Sequence, residues 1–320
     1  MKKYFFIILI FFVFSSILNA QVDKQKKTSP AFYIELNSSY NNEKRNYYVI
    51  ETTGKTNSLL EWNANYLFKE GISGGMKIGN CEFNLSTQFC LPFECGKMYD
   101  SDWYAPEIKT NLSKSNLFTA FGNDTKLSLK YRFELAETGS NFFVSPVVSI
   151  SNSFIKLEAK NTIGWCGDMG HTHLDQHYPW NSEYAKKVKK YGINLSNNIT
   201  SVFCGAELEK QFGPLITNIG ALISPFTYIF SIDHHLNKEE GHYYQMIQKA
   251  LFKAWDFYGG IGYSINNHNT ILLGADYCFC PETPGELYYG YYKIDHILAD
   301  ETSKFSYSKF SLTLSWKYLF

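Results

Sequence analysis

From residue 31 onward, apolar and polar side chains alternate with a period of two. At the C-terminus Phe310, Leu312, Leu314, Trp316, Tyr318 and Phe320 alternate with Ser311, Thr313, Ser315 and Lys317. A β-strand places two such sets on opposite faces. The pattern recurs where Leu60, Trp62, Ala64, Tyr66 and Phe68 alternate with Glu61, Asn63 and Asn65. It recurs again where Leu127, Leu129, Tyr131, Phe133 and Leu135 alternate with Lys126, Ser128, Lys130, Arg132 and Glu134. Tyr191, Ile193 and Leu195 alternate in the same way with Lys190, Gly192, Asn194 and Ser196. A soluble core would not line up Lys, Arg and Glu on one strand face unless that face were wet. A barrel in lipid turns apolar side chains outward and polar ones inward. In lipid only a closed sheet satisfies every backbone group, so such strands close into a barrel.

Punctuation along the chain gives the layout. Short turn signals fall near 69–71, 80–82, 136–141, 213–214 and 266–269, and long polar segments near 41–57, 94–115, 166–186, 234–245 and 281–304. Short turns at one end and long loops at the other are the transmembrane arrangement. The expected fold is all-β: a ten-stranded antiparallel transmembrane β-barrel, its first strand near 31–42 and its tenth near 306–320. The short turns are expected on the periplasmic side and the long loops outside the cell. One domain, residues 21–320, accounts for everything after a signal peptide at 1–20. That leader has Lys2 and Lys3, an apolar run over 4–14, and Leu18-Asn19-Ala20 before Gln21. The run is shorter than the ~20 residues that span a bilayer as a helix, so it reads as an export signal.

Charge narrows the partners. Lys plus Arg equals Asp plus Glu at 30 each, and removing Lys2 and Lys3 leaves 28 basic against 30 acidic side chains. No chain-wide basic field exists, which excludes nucleic acid as the expected partner. The seven cysteines are odd in number and match neither a zinc motif nor a dense disulfide framework, so no bridges are assigned.

Three polar clusters carry candidate chemistry. Asp100 and Asp102 share a face if the third strand continues that far, and close carboxylates raise one another's proton affinity; an Asp-rich surface turn would look the same. Asp233 and His235 share a face at the end of the seventh strand. There the aspartate can fix the imidazole tautomer and leave the other ring nitrogen to take a proton from water; solvated loop histidines would also look the same. His171, His173, Asp175 and His177 offer alternating ligands for Zn or Cu, but an irregular loop guarantees no convergent geometry and surface histidines are the preferred account.

Together these features resemble the omptin family of outer-membrane aspartyl/histidine endopeptidases. The resemblance rests on Leu60-Glu61-Trp62, on Met98-Tyr99-Asp100-Ser101-Asp102-Trp103, on the later Asp-x-His, and on the terminal Lys317-Tyr318-Leu319-Phe320. It implies a monomeric peptide hydrolase in outer-membrane lipid, acting on polypeptide substrates at the outward-facing barrel mouth. Asp100, Asp102, Asp233 and His235 would be catalytic, and no metal or organic cofactor is required. Asp175 and His177 spell the same motif, but strand order separates the two pairs. Asp233 lies 133 residues beyond Asp100, room for four strands, whereas Asp175 lies 75 beyond, room for two. The resemblance also implies acidic side chains that select basic residues beside the scissile bond. Here the corresponding positions are Ser231, Asn111 with Ser113 beside it, and Glu43 in the first outer loop. A strong dibasic preference is therefore not expected. The family's lipopolysaccharide-binding Tyr-x-Glu-x-Arg is absent, because the fifth strand reads Ile150-Ser151-Asn152-Ser153-Phe154. A non-enzymatic barrel (an adhesin or narrow pore) and a loop metal-binding protein are the competing readings.

Overall fold

The computed structural model describes residues 29–105, 107–135, 141–167, 177–190, 192–236, 242–290 and 297–320. These form one antiparallel sheet that closes on itself, and no helix occurs among them. Ten staves make the barrel. The first two are β1 (Ala31–Ile50) and β2 (Thr56–Ile78); the third is interrupted into β3 (Cys81–Cys90) and β4 (Glu94–Asp102). The fourth is β5 (Asn111–Tyr131), extended by the short β6 (Phe133–Glu134), and the fifth is β7 (Phe142–Cys166). The sixth comprises β8 (Lys186–Lys189) and β9 (Ile193–Phe212), both paired with β7, and the seventh is β10 (Leu215–His235). β11 (His242–Ala250) and β12 (Ala254–Ser264) make the eighth, followed by β13 (Asn269–Gly290) and β14 (Ile297–Leu319). Closure runs from Tyr33 opposite Leu319 to Ile50 opposite Thr302.

Only about 9–11 residues of a tilted strand are needed to cross the hydrocarbon, so staves of 20 to 25 residues such as β1, β2 and β7 stand well clear of it. Polarity inverts along their length. Near the short turns, Phe68, Ile72, Leu127, Phe310, Leu312, Leu314 and Trp316 are exposed on the outer face, as a lipid belt requires. Towards the long loops, apolar side chains point inward: Tyr47, Leu60, Trp62, Ala64, Leu195 and Phe305 are buried. The expected outward stripe over 60–68 is therefore two stripes. Leu60, Trp62 and Ala64 face the interior while Tyr66 and Phe68 face out, and a bulge opposite Asn41 and Glu43 changes the phase. Ile193 and Leu195 likewise face inward, because they lie above the belt.

The strand boundaries carry two further corrections. The segment 69–71 is no turn but the middle of β2; the chain reverses at 79–80, where Gly79 has φ 57°. Much of 41–57, 94–115 and 281–304, read as loop from its polarity, is strand hydrogen-bonded above the lipid. All seven cysteines are free thiols.

A charged layer crosses the interior at the level where polarity changes. Glu43 accepts from Lys69 Nζ at 2.7 Å and pairs with Arg45 at 2.7 Å; Lys69 also reaches Asp124 at 2.6 Å. The Arg45 guanidinium lies 5.1 Å from the centre of the Tyr307 ring. Charges removed from water need partners of this kind. None of these residues lines either main cavity of the barrel. One cavity, about 690 Å³, lies towards the short turns and is lined by Glu35, Glu82, Lys130, Glu207 and Lys317. The other, about 300 Å³, opens among the long-loop ends of the staves.

Candidate active site

The smaller cavity is built from the strand ends above the lipid belt. β4 is held between β2 and β5, so that Leu60, Asp100 and Ser113 form one cross-strand row and Ser58, Asp102 and Asn111 the next. The period of two carries both Asp100 and Asp102 to the cavity wall. On another wall, β10 presents Asp233 and His235 on one face, opposite Tyr244 and His242 of β11. His235 Nε2 lies 3.1 Å from Asp233 Oδ2, and its ring meets Tyr244 edge-on with centroids 5.1 Å apart. That contact and that hydrogen bond together fix the imidazole and leave Nδ1 available. Asp100, Asp102, Asp233 and His235 thus line one cavity.

Their electrostatics are matched. Burial pushes the Asp100 carboxyl up to about 7; Asp102 adds to the rise, and His235 and Lys190 oppose it. Burial works against a charged His235, but the Asp233 carboxylate and its hydrogen bond, with help from Asp100 and Asp102, outweigh it and raise the imidazole. Burial and the surrounding carboxylates raise the Tyr244 phenol to about 12, keeping it protonated. Each group's charge acts on the other: His235 lowers the Asp100 carboxyl, and Asp100 raises the His235 imidazole. An imidazole oriented by a carboxylate and facing a second carboxyl can bind and deprotonate a water.

The remaining expected residues fall differently. Ser113 lines the cavity and donates to Asp100 Oδ2 at 3.4 Å. Asn111 is buried opposite Asp102 and is not part of the lining. Ser231 sits two residues before Asp233, fully buried, donating to the Tyr47 phenol oxygen and accepting from Asn197 Nδ2, each at 3.0 Å. Glu43 is a correction: it lies in β1 rather than in the first outer loop. Both its carboxylate oxygens are held by Lys69 and Arg45, out of contact with the cavity. His171, His173 and Asp175 lie outside the described residues, and His177 does not line the cavity.

Sequence reasoning missed Glu301 and Tyr244 and gave no role to Lys190, all of which line the cavity. Glu301 accepts from Asn57 Nδ2 at 2.9 Å. Its segment reads as polar loop, so nothing in the sequence ties it to β2.

No protein-family model and no curated protein matches the sequence. Among solved structures, the outer membrane protease OmpT from Escherichia coli aligns with a TM-score of 0.76 at 13% identity, over 93% of this chain and 99% of that one. The outer membrane protein OprG from Pseudomonas aeruginosa gives a TM-score of 0.38 at 11% identity, over 92% and 97% of the two chains. Neisserial surface protein A gives 0.29 at 10%, over 91% and 99%. At such identities the OmpT likeness speaks for the fold: the chain is an antiparallel β-barrel of the outer-membrane type, similar over nearly its whole length to that protease barrel.

Proposed function

We propose that this protein is an outer-membrane endopeptidase that hydrolyses peptide bonds with a water held between Asp100 and His235. One observation carries the reading: two carboxylates from β4 and an Asp–His pair from β10, distant in sequence, line a single cavity above the lipid belt. The similarity to a barrel that is a protease adds support at the level of fold. The chain is exported by its leader, and the long-loop end faces the exterior, where polypeptide substrates reach the mouth.

His235 Nδ1 takes a proton from the water as its oxygen bonds to the carbonyl carbon, and the carbonyl π pair moves onto oxygen. Collapse of that intermediate breaks the C–N bond, and the leaving amine receives the proton from His235. Asp233 orients the imidazole and stabilises its charged form, while Asp100 holds the water and Asp102 keeps the Asp100 proton affinity high. General-base help of this kind supplies ~10²–10⁴ in rate. No step calls on a metal or organic cofactor.

Specificity follows from what surrounds the water. Ser231 and Asn111 bring no charge, and Glu43 is neutralised, so of the acids expected to select basic side chains none is available. Glu301 remains as the cavity carboxylate outside the catalytic four, and it gives basic side chains a modest advantage. The reading is tested by incubating refolded protein with defined peptides and identifying new termini by mass spectrometry. Cleavage lost in Asp100→Ala and His235→Ala is expected; intact peptides with the wild type would overturn it.

A further inference from the structure

Hydrolysis puts negative charge on the carbonyl oxygen, and Asp100, Asp102, Asp233 and Glu301 all face the space where that charge would form. Carboxylates on several sides disfavour an oxyanion, so a cation is needed at the same place. Lys190 is the one lysine lining the cavity among the described residues, and no described residue forms an ion pair with it.

Its position is built. The Lys190 backbone N–H donates to the Thr162 carbonyl at 3.1 Å, which anchors the residue against β7. Its aliphatic stem then lies over Gly164, where a Cβ would sit 2.8 Å from both Cδ and Cε of the lysine. Gly164 is in register with Ser113, and Ser113 with Asp100. The absent side chain at Gly164 thus leaves a groove in the barrel wall, in the row that leads to Asp100. The field of Lys190 reaches the Asp100 carboxyl.

We infer that Lys190 is a catalytic residue of the proposed hydrolysis, its ammonium group binding the scissile carbonyl oxygen and stabilising the oxyanion as water attacks. The inference rests on the peptidase reading. Lys190 gives up no proton: the water proton goes to His235, the π pair collects on the oxygen beside the ammonium, and the same pair reforms the carbonyl as the C–N bond breaks. Gly164 is a positioning residue, since its missing Cβ makes room for the stem.

The test is a double-mutant cycle on refolded, lipid-embedded protein with a peptide the wild type cleaves. Removal of one oxyanion donor typically costs ~10²–10³ in kcat, so Lys190→Met should lower kcat about that much with KM changed only a few-fold. Gly164→Ala removes no charged group yet displaces the stem, and should lower kcat at least ~10-fold. In the Lys190→Met background the alanine should have no further effect, a non-additivity that a purely structural role would not produce. Unchanged kcat in Lys190→Met overturns the inference and leaves the peptidase reading standing. A raised KM at constant kcat also overturns it, by showing uniform substrate binding. If Lys190→Met does not fold, full activity in Gly164→Ala overturns it alone. No cleavage by the wild type removes the reaction and the inference together.

Discussion

Asp233→Asn removes one charge from the site and almost no volume. In the native protein the carboxylate lies 3.1 Å from His235 Nε2, with both groups largely shielded from water. Coulomb attraction between a carboxylate and an imidazolium at that distance is about 5 kcal/mol for an effective dielectric of about 20. At about 1.36 kcal/mol per decade this sets a ceiling of nearly four decades in rate. An asparagine retains a dipole and a hydrogen bond, so the expected loss in kcat is ~10²–10⁴, the range typical of general-base catalysis. Asp233 is the main influence raising His235, so the acidic limb of the pH–rate profile should also move to lower pH in the variant. The assay is steady-state cleavage of a fluorogenic peptide across pH 5–9. Retention of the native heat-dependent gel mobility shows that the barrel has closed. A loss under ~10-fold with an unmoved acidic limb would refute the pairing as a catalytic device.

For the wild type, kcat/KM should fall as pH is lowered through the titrations of His235 and Asp100, because the base must be unprotonated to accept the water proton. With Asp100 pushed up to about 7 and His235 raised, that limb lies above the ordinary histidine value of about 6.5. Asp102→Asn removes a raising influence on Asp100 and should move the limb down; an upward move in a pH–rate titration would contradict the assignment. Lys69→Met leaves Glu43 and Asp124 without a shared cation in the interior layer. Urea unfolding in lipid vesicles should show about 3–5 kcal/mol of destabilisation, and a loss below ~1 kcal/mol would mean that water already solvates the layer. Arg-Arg should be cleaved less than ~100-fold better than Ala-Ala in matched peptides, since Ser231 is neutral and tied to Tyr47 and Asn197. A larger ratio would show that acidic selectivity has been rebuilt elsewhere, with Glu301→Gln as the first variant to compare.

The lipid belt was legible because it obeys one rule along whole staves. Phe310, Leu312, Leu314 and Trp316 face out as the alternation of the last strand requires, and Leu127 does the same on β5. Above the belt the rule reverses without any change of residue type. Leu60, Trp62 and Ala64 have the same spelling as a lipid-facing stripe, yet they pack inside because water replaces lipid around the outer face. Strand ends rich in polar residues therefore read as loops, and β4 and the upper part of β14 were hidden. The Asp100/Asp102 and Asp233/His235 pairs nonetheless line one cavity, as strand counting expects, since a period-two pair keeps one face in either environment. Glu43 was misplaced for the opposite reason. Its two cationic partners come from Arg45 on its own strand and Lys69 on β2, and only the register decides which acid a lysine 26 residues away will meet. Lys190 and Glu301 required the same knowledge, because their relation to the cavity depends on pairings that leave no local trace.

The most direct measurement is cleavage of a mixed peptide library by the lipid-embedded wild type beside His235→Ala and the double variant Asp175→Ala/His177→Ala. New peptide termini should appear with the wild type and with the double variant and be absent with His235→Ala. Unchanged cleavage by His235→Ala, or its loss only in the Asp175/His177 variant, would contradict a water activated between Asp100 and His235.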